Sequence, residues 1–125
     1  MPSTETPFTI EDWEPHAVDE FSPDLALGRV SFRKTYKGDD LVGTAVATML
    51  NCGQVAYTAM ERITGTLAGR TGSFVLMHGA TADTAGATGA VVPGSGTGEL
   101  AGLTGTVSIR HEEGGGPALM LDWSL

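Results

Sequence analysis

The sequence predicts an all-β domain, a closed antiparallel barrel of about eight strands, on three observations. Apolar residues recur at every second position far more often than at the helical period of 3.6. Turn-forming residues break these alternating runs at short intervals, with 18 glycines in 125 residues. That length suits one hydrophobic core and not two, because a smaller unit buries too little apolar surface to offset the entropy of ordering its chain. The chain 1–125 therefore reads as a single domain, with 1–7 as a flexible N-terminus.

Each element follows from its own pattern. Residues 8–13 form a first strand and 25–27 a short one. Within 28–36, Val30, Phe32 and Tyr36 share one face with the Lys34 stem, while Ser31, Arg33 and Thr35 share the other. A turn at 37–40 leads to a strand at 41–50, a turn at 51–53, and a strand at 54–67 broken near Gly65. Ala68-Gly69 turns into 70–78, where Phe74, Leu76 and His78 alternate with Ser73, Val75 and Met77. Both faces of that strand are largely apolar and both need cover, one from a barrel interior and one from a subunit contact or a packed segment, and a homo-oligomer is expected. Residues 79–89 read as a loose loop, and 90–92 as a short strand stopped by Pro93-Gly94. The segments 103–111 and 118–125 then pair across 112–117 as a closing hairpin. Helix is limited to single turns at 21–27 and 98–103.

Charge and composition exclude several classes of function. A net charge of −8, with seven scattered Lys and Arg, argues against nucleic acid and anionic membrane surfaces as partners. Acidic residues are dense before position 25, which reads as a solvated edge. No run is long and apolar enough to span a bilayer, and the start lacks a basic and apolar leader, so a cytoplasmic protein is expected. The single Cys52 cannot form an internal disulfide, and its setting in Asn51-Cys52-Gly53 is that of a turn.

Several motifs fail on inspection. The glycine-dense run from Pro93 to Leu100 lacks the following Lys-Ser or Lys-Thr of a phosphate loop, and Glu99 sits where an anion would lie. Ser95 lacks the spacing of a nucleophile elbow. His16, His78 and His111 are too far apart to suggest a metal site, and no metal or cofactor is expected. His111 adjoins Glu112 and Glu113 near a turn and reads as solvated.

Two side chains hold more interest. Alternation places His78 with Phe74 and Leu76, where its ring would be partly desolvated. It also places Glu61 with Tyr57, Ala59 and Ile63. Inside a barrel that carboxyl would be desolvated and its pKa raised, as in a general acid or base working near neutral pH. Arg70, or Arg33 across strands, could instead pair with it as a buried salt bridge.

The string Tyr57-x3-Glu61-Arg62-x2-Gly65-x3-Gly69-Arg70-x-Gly72-Ser73-Phe74-x3-His78 follows Lys34-x-Tyr36-x-Gly38-Asp39 and precedes Gly94-Ser-Gly-Thr-Gly-Glu-Leu100. From about Phe8 onward, the chain resembles an uncharacterised bacterial domain family of unknown function, itself similar in fold to the allene oxide cyclase barrel. The resemblance implies a lipocalin-like tube of eight strands with a largely apolar cavity, in a structural group that includes cofactor-free cyclases and dirigent proteins. Such proteins work by holding a substrate in one conformer while a few polar groups steer charge. The motifs of plant allene oxide cyclases are lacking, so no functional residue is carried over from them.

The functional expectation is a small hydrophobic molecule bound in the barrel, with cofactor-independent isomerisation or cyclisation. Glu61, Tyr57 and His78 are the candidate catalytic residues, and Arg70, Phe74, Phe32, Tyr36, Arg33, Leu76 and Trp123 the candidate ligand contacts. A non-catalytic carrier or sensor, or an interaction barrel filled by its own side chains, are the alternatives.

Overall fold

The computed structural model describes residues 2–111 and 115–125. Eight strands follow one another around a closed antiparallel barrel: β1 (Ser3–Ala17), β2 (Leu27–Lys37), β3 (Leu41–Cys52), β4 (Ala56–Leu67), β5 (Arg70–Thr81), β6 (Ala87–Val91), β7 (Thr104–His111) and β8 (Pro117–Ser124). Each strand pairs with its sequence neighbours, and β1 pairs with β8 through Ser3–Pro7 against Ala118–Asp122. Closure leaves no free sheet edge running the length of the molecule, which is how an all-β chain satisfies its edge amides.

The interior follows from alternation. Val30, Phe32, Lys34 and Tyr36 of β2 point inward, as do Ala59, Glu61 and Ile63 of β4 and Phe74, Leu76 and His78 of β5. Leu119, Leu121 and Trp123 complete the wall from β8. At one end, Leu41, Leu67, Leu100 and Leu103 are fully buried and plug the tube. Leu100 comes from a 3-10 turn at Gly98–Leu100, within the glycine-dense run. That run, with Val92 just before it, straps the part of β5 that extends past the short β6: Val92 N–H donates to Val75 O and Thr97 N–H to Ser73 O. Glycine is required there, because a Cβ on Gly72 would lie 2.1 Å from Thr97 O.

The other end is open, for a reason visible in the pairing. Beyond Pro7, β1 has no partner on its β8 side among the described residues, yet it runs along β2 as far as Ala17. A β-bulge interrupts that run between Glu11 and Glu14, with Asp12 at φ 56°. The extra residue resets the alternation and turns Trp13 toward the inner side, where its ring lies against Phe32 at a centroid distance of 5.3 Å. The overhanging inner face leaves Ile10, opposite Lys34, 45% exposed and Trp13 51% exposed.

Several boundaries differ from the sequence expectation. Residues 3–7 belong to β1 and close the barrel, where a flexible start was expected. Residues 25–27 make no separate strand, since β2 begins at Leu27. Gly65 does not break β4: it lies between Gly43 and Gly72, and a Cβ would meet Val42 O at 2.1 Å, so glycine here permits close strand approach. The expected loop at 79–89 is mostly strand for a similar reason, with Gly89 opposite His78 and a Cβ there only 1.8 Å from Met77 O. Of the predicted closing turn, Glu112, Glu113 and Gly114 lie outside the described residues.

Candidate functional site

Glu61 is the centre of a charged cluster inside the tube. Its residue is 1% exposed, and the carboxylate accepts three side-chain hydrogen bonds. Lys34 Nζ donates to Oε2 at 2.7 Å, His78 Nε2 contacts the same oxygen at 2.7 Å, and Tyr36 donates its hydroxyl to Oε1. Strands β2, β4 and β5 supply these groups at similar depth, with β3 standing between β2 and β4: Glu61 is opposite Ala47 and Leu76, and Lys34 is opposite Ala45. Small alanines on β3 leave the room that lets Lys34 reach across from β2. Lys34, itself 3% exposed, also lies 4.2 Å from the centre of the Phe8 ring, which adds a cation–π contact to the ion pair.

The cluster continues outward. His78 Nδ1 and the Tyr57 hydroxyl are 3.0 Å apart, with the two rings edge to face. With Nε2 donating to Glu61, a neutral ring leaves Nδ1 to accept from Tyr57, whereas a doubly protonated ring donates from Nδ1 to the Tyr57 oxygen and leaves the phenol proton free for a guest. The order Tyr57, His78, Glu61 is that of a hydroxyl backed by an imidazole backed by a carboxylate. Among the described residues every buried side-chain polar atom has a partner.

Electrostatics separate the roles of these groups. Burial alone would raise the pKa of Glu61, but the His78 hydrogen bond, the Lys34 charge and the Lys34 and Tyr36 hydrogen bonds outweigh it and hold the carboxyl down at about 2. The expected raised pKa is thus corrected: desolvation is present, and its compensation is larger. Burial, and then the nearby Glu61 charge, push Tyr57 up to about 12. The same causes push Tyr36 well above the ordinary tyrosine value. Both phenols keep their protons near neutrality.

A cavity of about 620 Å³ occupies the open end. Trp13 and Pro15 of β1, Val30 of β2, Met49 of β3, Tyr57 of β4 and Ala80 of β5 contribute to its wall. Tyr57 belongs both to this wall and to the buried cluster, whereas Glu61 lies deeper and is not one of the lining residues.

The residues singled out by sequence therefore fall into three groups. Glu61, Tyr57, His78 and Tyr36 come together in the cluster. Phe32, Phe74, Leu76 and Trp123 are buried wall residues, with Phe32 reaching the cavity only through Trp13. Arg33 and Arg70 lie on the outside. Arg33 pairs loosely with Asp12 at 3.8 Å, and Arg70 opens β5 beside an exposed turn. Neither can meet Glu61, because odd positions of β2 face outward and Arg70 is at the plugged end. The partner is Lys34, whose place among Val30, Phe32 and Tyr36 was readable from alternation. Trp13 and Met49 were also missed as cavity residues, Trp13 because the bulge reverses its facing. The signal for the bulge was Asp12, a residue type that tolerates positive φ.

Among the described residues no three His, Cys, Asp or Glu side chains gather as a metal site, and no helix is long and apolar enough to cross a membrane.

Comparison with known proteins agrees with this architecture. No curated protein matches the chain. Its fold is similar to that of pyocyanin demethylase, with a TM-score of 0.71, 14% identity and coverage of 98% of this chain and 100% of that one. A nearer likeness is the crystal structure of a protein of unknown function from Shewanella oneidensis MR-1, of the DUF3224 family. There the TM-score is 0.85 and the identity 31%, over 100% of this chain and 98% of the other. The model of that family, described as protein of unknown function (DUF3224), matches residues 4–123, and the chain belongs to it.

Proposed function

We propose that this protein binds a small, largely apolar molecule in the cavity at the open end of the barrel, and that Tyr57, accepting from His78 Nδ1 when both ring nitrogens carry protons, donates its one hydroxyl proton to it. The observation that carries this reading is the double membership of Tyr57, whose ring lines the cavity while its hydroxyl is held by His78. Its volume of about 620 Å³ falls within the range of small-molecule sites, ~300–1,000 Å³.

The chemistry open to such a site needs no cofactor. A phenol that keeps its proton can polarise a carbonyl oxygen, and walls that fix the substrate's conformer favour isomerisation or ring closure. Glu61 acts through His78, positioning the imidazole that orients Tyr57. In this reading the acid is the tyrosine rather than the carboxyl expected from sequence.

A carrier or sensor is the second reading, and one observation favours it. With Glu61 ionised and Tyr57 pushed up to about 12, the site is better suited to holding a ligand than to exchanging protons with it. Native mass spectrometry of the protein from its own cells separates the two. A retained molecule that is chemically changed by the wild type and left unchanged by Tyr57→Phe supports catalysis. A molecule retained unaltered by both supports carriage, and ligand-free protein from cells and from extracts supplemented with lipophilic metabolites contradicts the proposal.

A further inference from the structure

We infer that the ligand is a planar aromatic molecule with a neutral hydrogen-bond acceptor, its ring seated against Trp13 and its acceptor directed at Tyr57. This rests on the binding role proposed above and names the chemical class that the same cavity selects.

The first ground is the placing of Trp13. Large aromatic side chains on a strand's inner face are normally buried, yet this one is 51% exposed in the described chain. It reaches the inner side through a bulge with a positive φ at Asp12, a backbone state uncommon for a residue other than glycine. Phe32 backs the ring at 5.3 Å with the planes 36° apart, so the indole has a fixed support and leaves area free toward the cavity. A strand irregularity that turns a supported indole toward an open cavity makes a stacking platform.

The other walls agree with a flat guest. Pro15 and Pro23 supply rigid apolar surface, and Met49 supplies a polarisable thioether, which makes favourable contacts with aromatic rings. None of these groups distinguishes guests by shape as sharply as Trp13.

The second ground is charge. Asp19 and Arg29 line the cavity with opposite charges, so its wall calls for no net charge in the guest. A neutral carbonyl oxygen or ring nitrogen accepts from the Tyr57 hydroxyl, which burial, and then the Glu61 charge, keep protonated.

Isothermal titration calorimetry with three probes tests the inference: 9-fluorenone is planar with a carbonyl, fluorene is planar without one, and cyclododecanone carries a carbonyl on a non-planar ring. Fluorenone is expected to bind about three- to tenfold more tightly than each of the others, the range that one stacking contact or one hydrogen bond supplies. Trp13→Leu should bring fluorenone to the level of cyclododecanone and leave cyclododecanone unchanged, since an exposed indole can be replaced without unfolding the barrel. Tyr57→Phe should bring fluorenone to the level of fluorene. Equal affinity for fluorenone and cyclododecanone, or equal losses for both on Trp13→Leu, would overturn the aromatic class while leaving the binding role standing. Failure of all three probes to bind overturns both.

Discussion

Glu61 illustrates how a single buried charge is made tolerable. Moving a carboxylate from water into an apolar interior costs several kcal/mol, and the opposed charge of Lys34 with two further hydrogen bonds offsets it. Removing one partner leaves the other charge without compensation, so Lys34→Met should destabilise the fold by about 3–5 kcal/mol, measured by urea unfolding at pH 7. The acid dependence follows from the direction of the Glu61 shift. Its carboxyl titrates at about 2 in the folded chain against an ordinary value of 4.5, so the unfolded state binds the extra proton between those values. The stabilisation, on the order of 3 kcal/mol, is complete above about pH 4.5 and is lost as the pH falls toward 2. Glu61→Gln should therefore flatten the pH dependence of stability over that window, whereas an unchanged slope would remove Glu61 from the account. The burial of Glu61 with Tyr57 and His78 was legible in the sequence, because period two assigns faces without reference to partners. Its cation was not, since Arg33, Lys34 and Arg70 differ only in facing and height, and those depend on register across strands.

At the level of elements, register is set by turns and by the places where strands come close. The β4–β5 connection is a two-residue hairpin with Ala68 at φ 49° and Gly69 at φ 82°, a turn that asks for positive φ at both positions. Alanine carries a steric penalty there that asparagine and glycine largely escape. Ala68→Asn should stabilise the protein by about 0.5–1 kcal/mol, seen as a rise in midpoint on thermal unfolding followed by circular dichroism. The hairpin was readable from Ala68-Gly69, and the strands from their alternation, apart from the separate strand expected at 25–27 and the opening residues of β6 read as loop. The glycine positions were not, because Gly65, Gly79 and Gly89 look like breaks in sequence and serve instead as points of close backbone approach. The overhang of β1 past β8 was equally hidden, being a difference in strand length around the barrel.

Across the whole molecule, a plugged end and an open end give the tube a direction. The core clusters around Tyr36, Phe74 and the leucines at the plugged end, while Val30, Phe32 and Ala47 form a separate cluster beneath the overhang. The cavity therefore sits over the less crowded part of the interior. Outside, Val46 and Leu50 of β3, Met60 of β4 and Met77 of β5 make an apolar stripe, with Met60 57% and Met77 48% exposed. We propose that this wall is where the expected self-association occurs, since the outward positions of β3, β4 and β5 carry no carboxylate in a chain of net charge −8. Light scattering after gel filtration should then give an oligomer for the wild type and a monomer for Met60→Glu with Met77→Glu, and a monomeric wild type would end that proposal. Titration of N-phenyl-1-naphthylamine into the wild type and a Met49→Trp variant that fills the cavity reports whether the open end receives a small apolar guest beside Tyr57. Saturable fluorescence enhancement at one site per chain is expected in the wild type, with its loss in the variant. Enhancement that never saturates, or that is the same in both proteins, would contradict binding there.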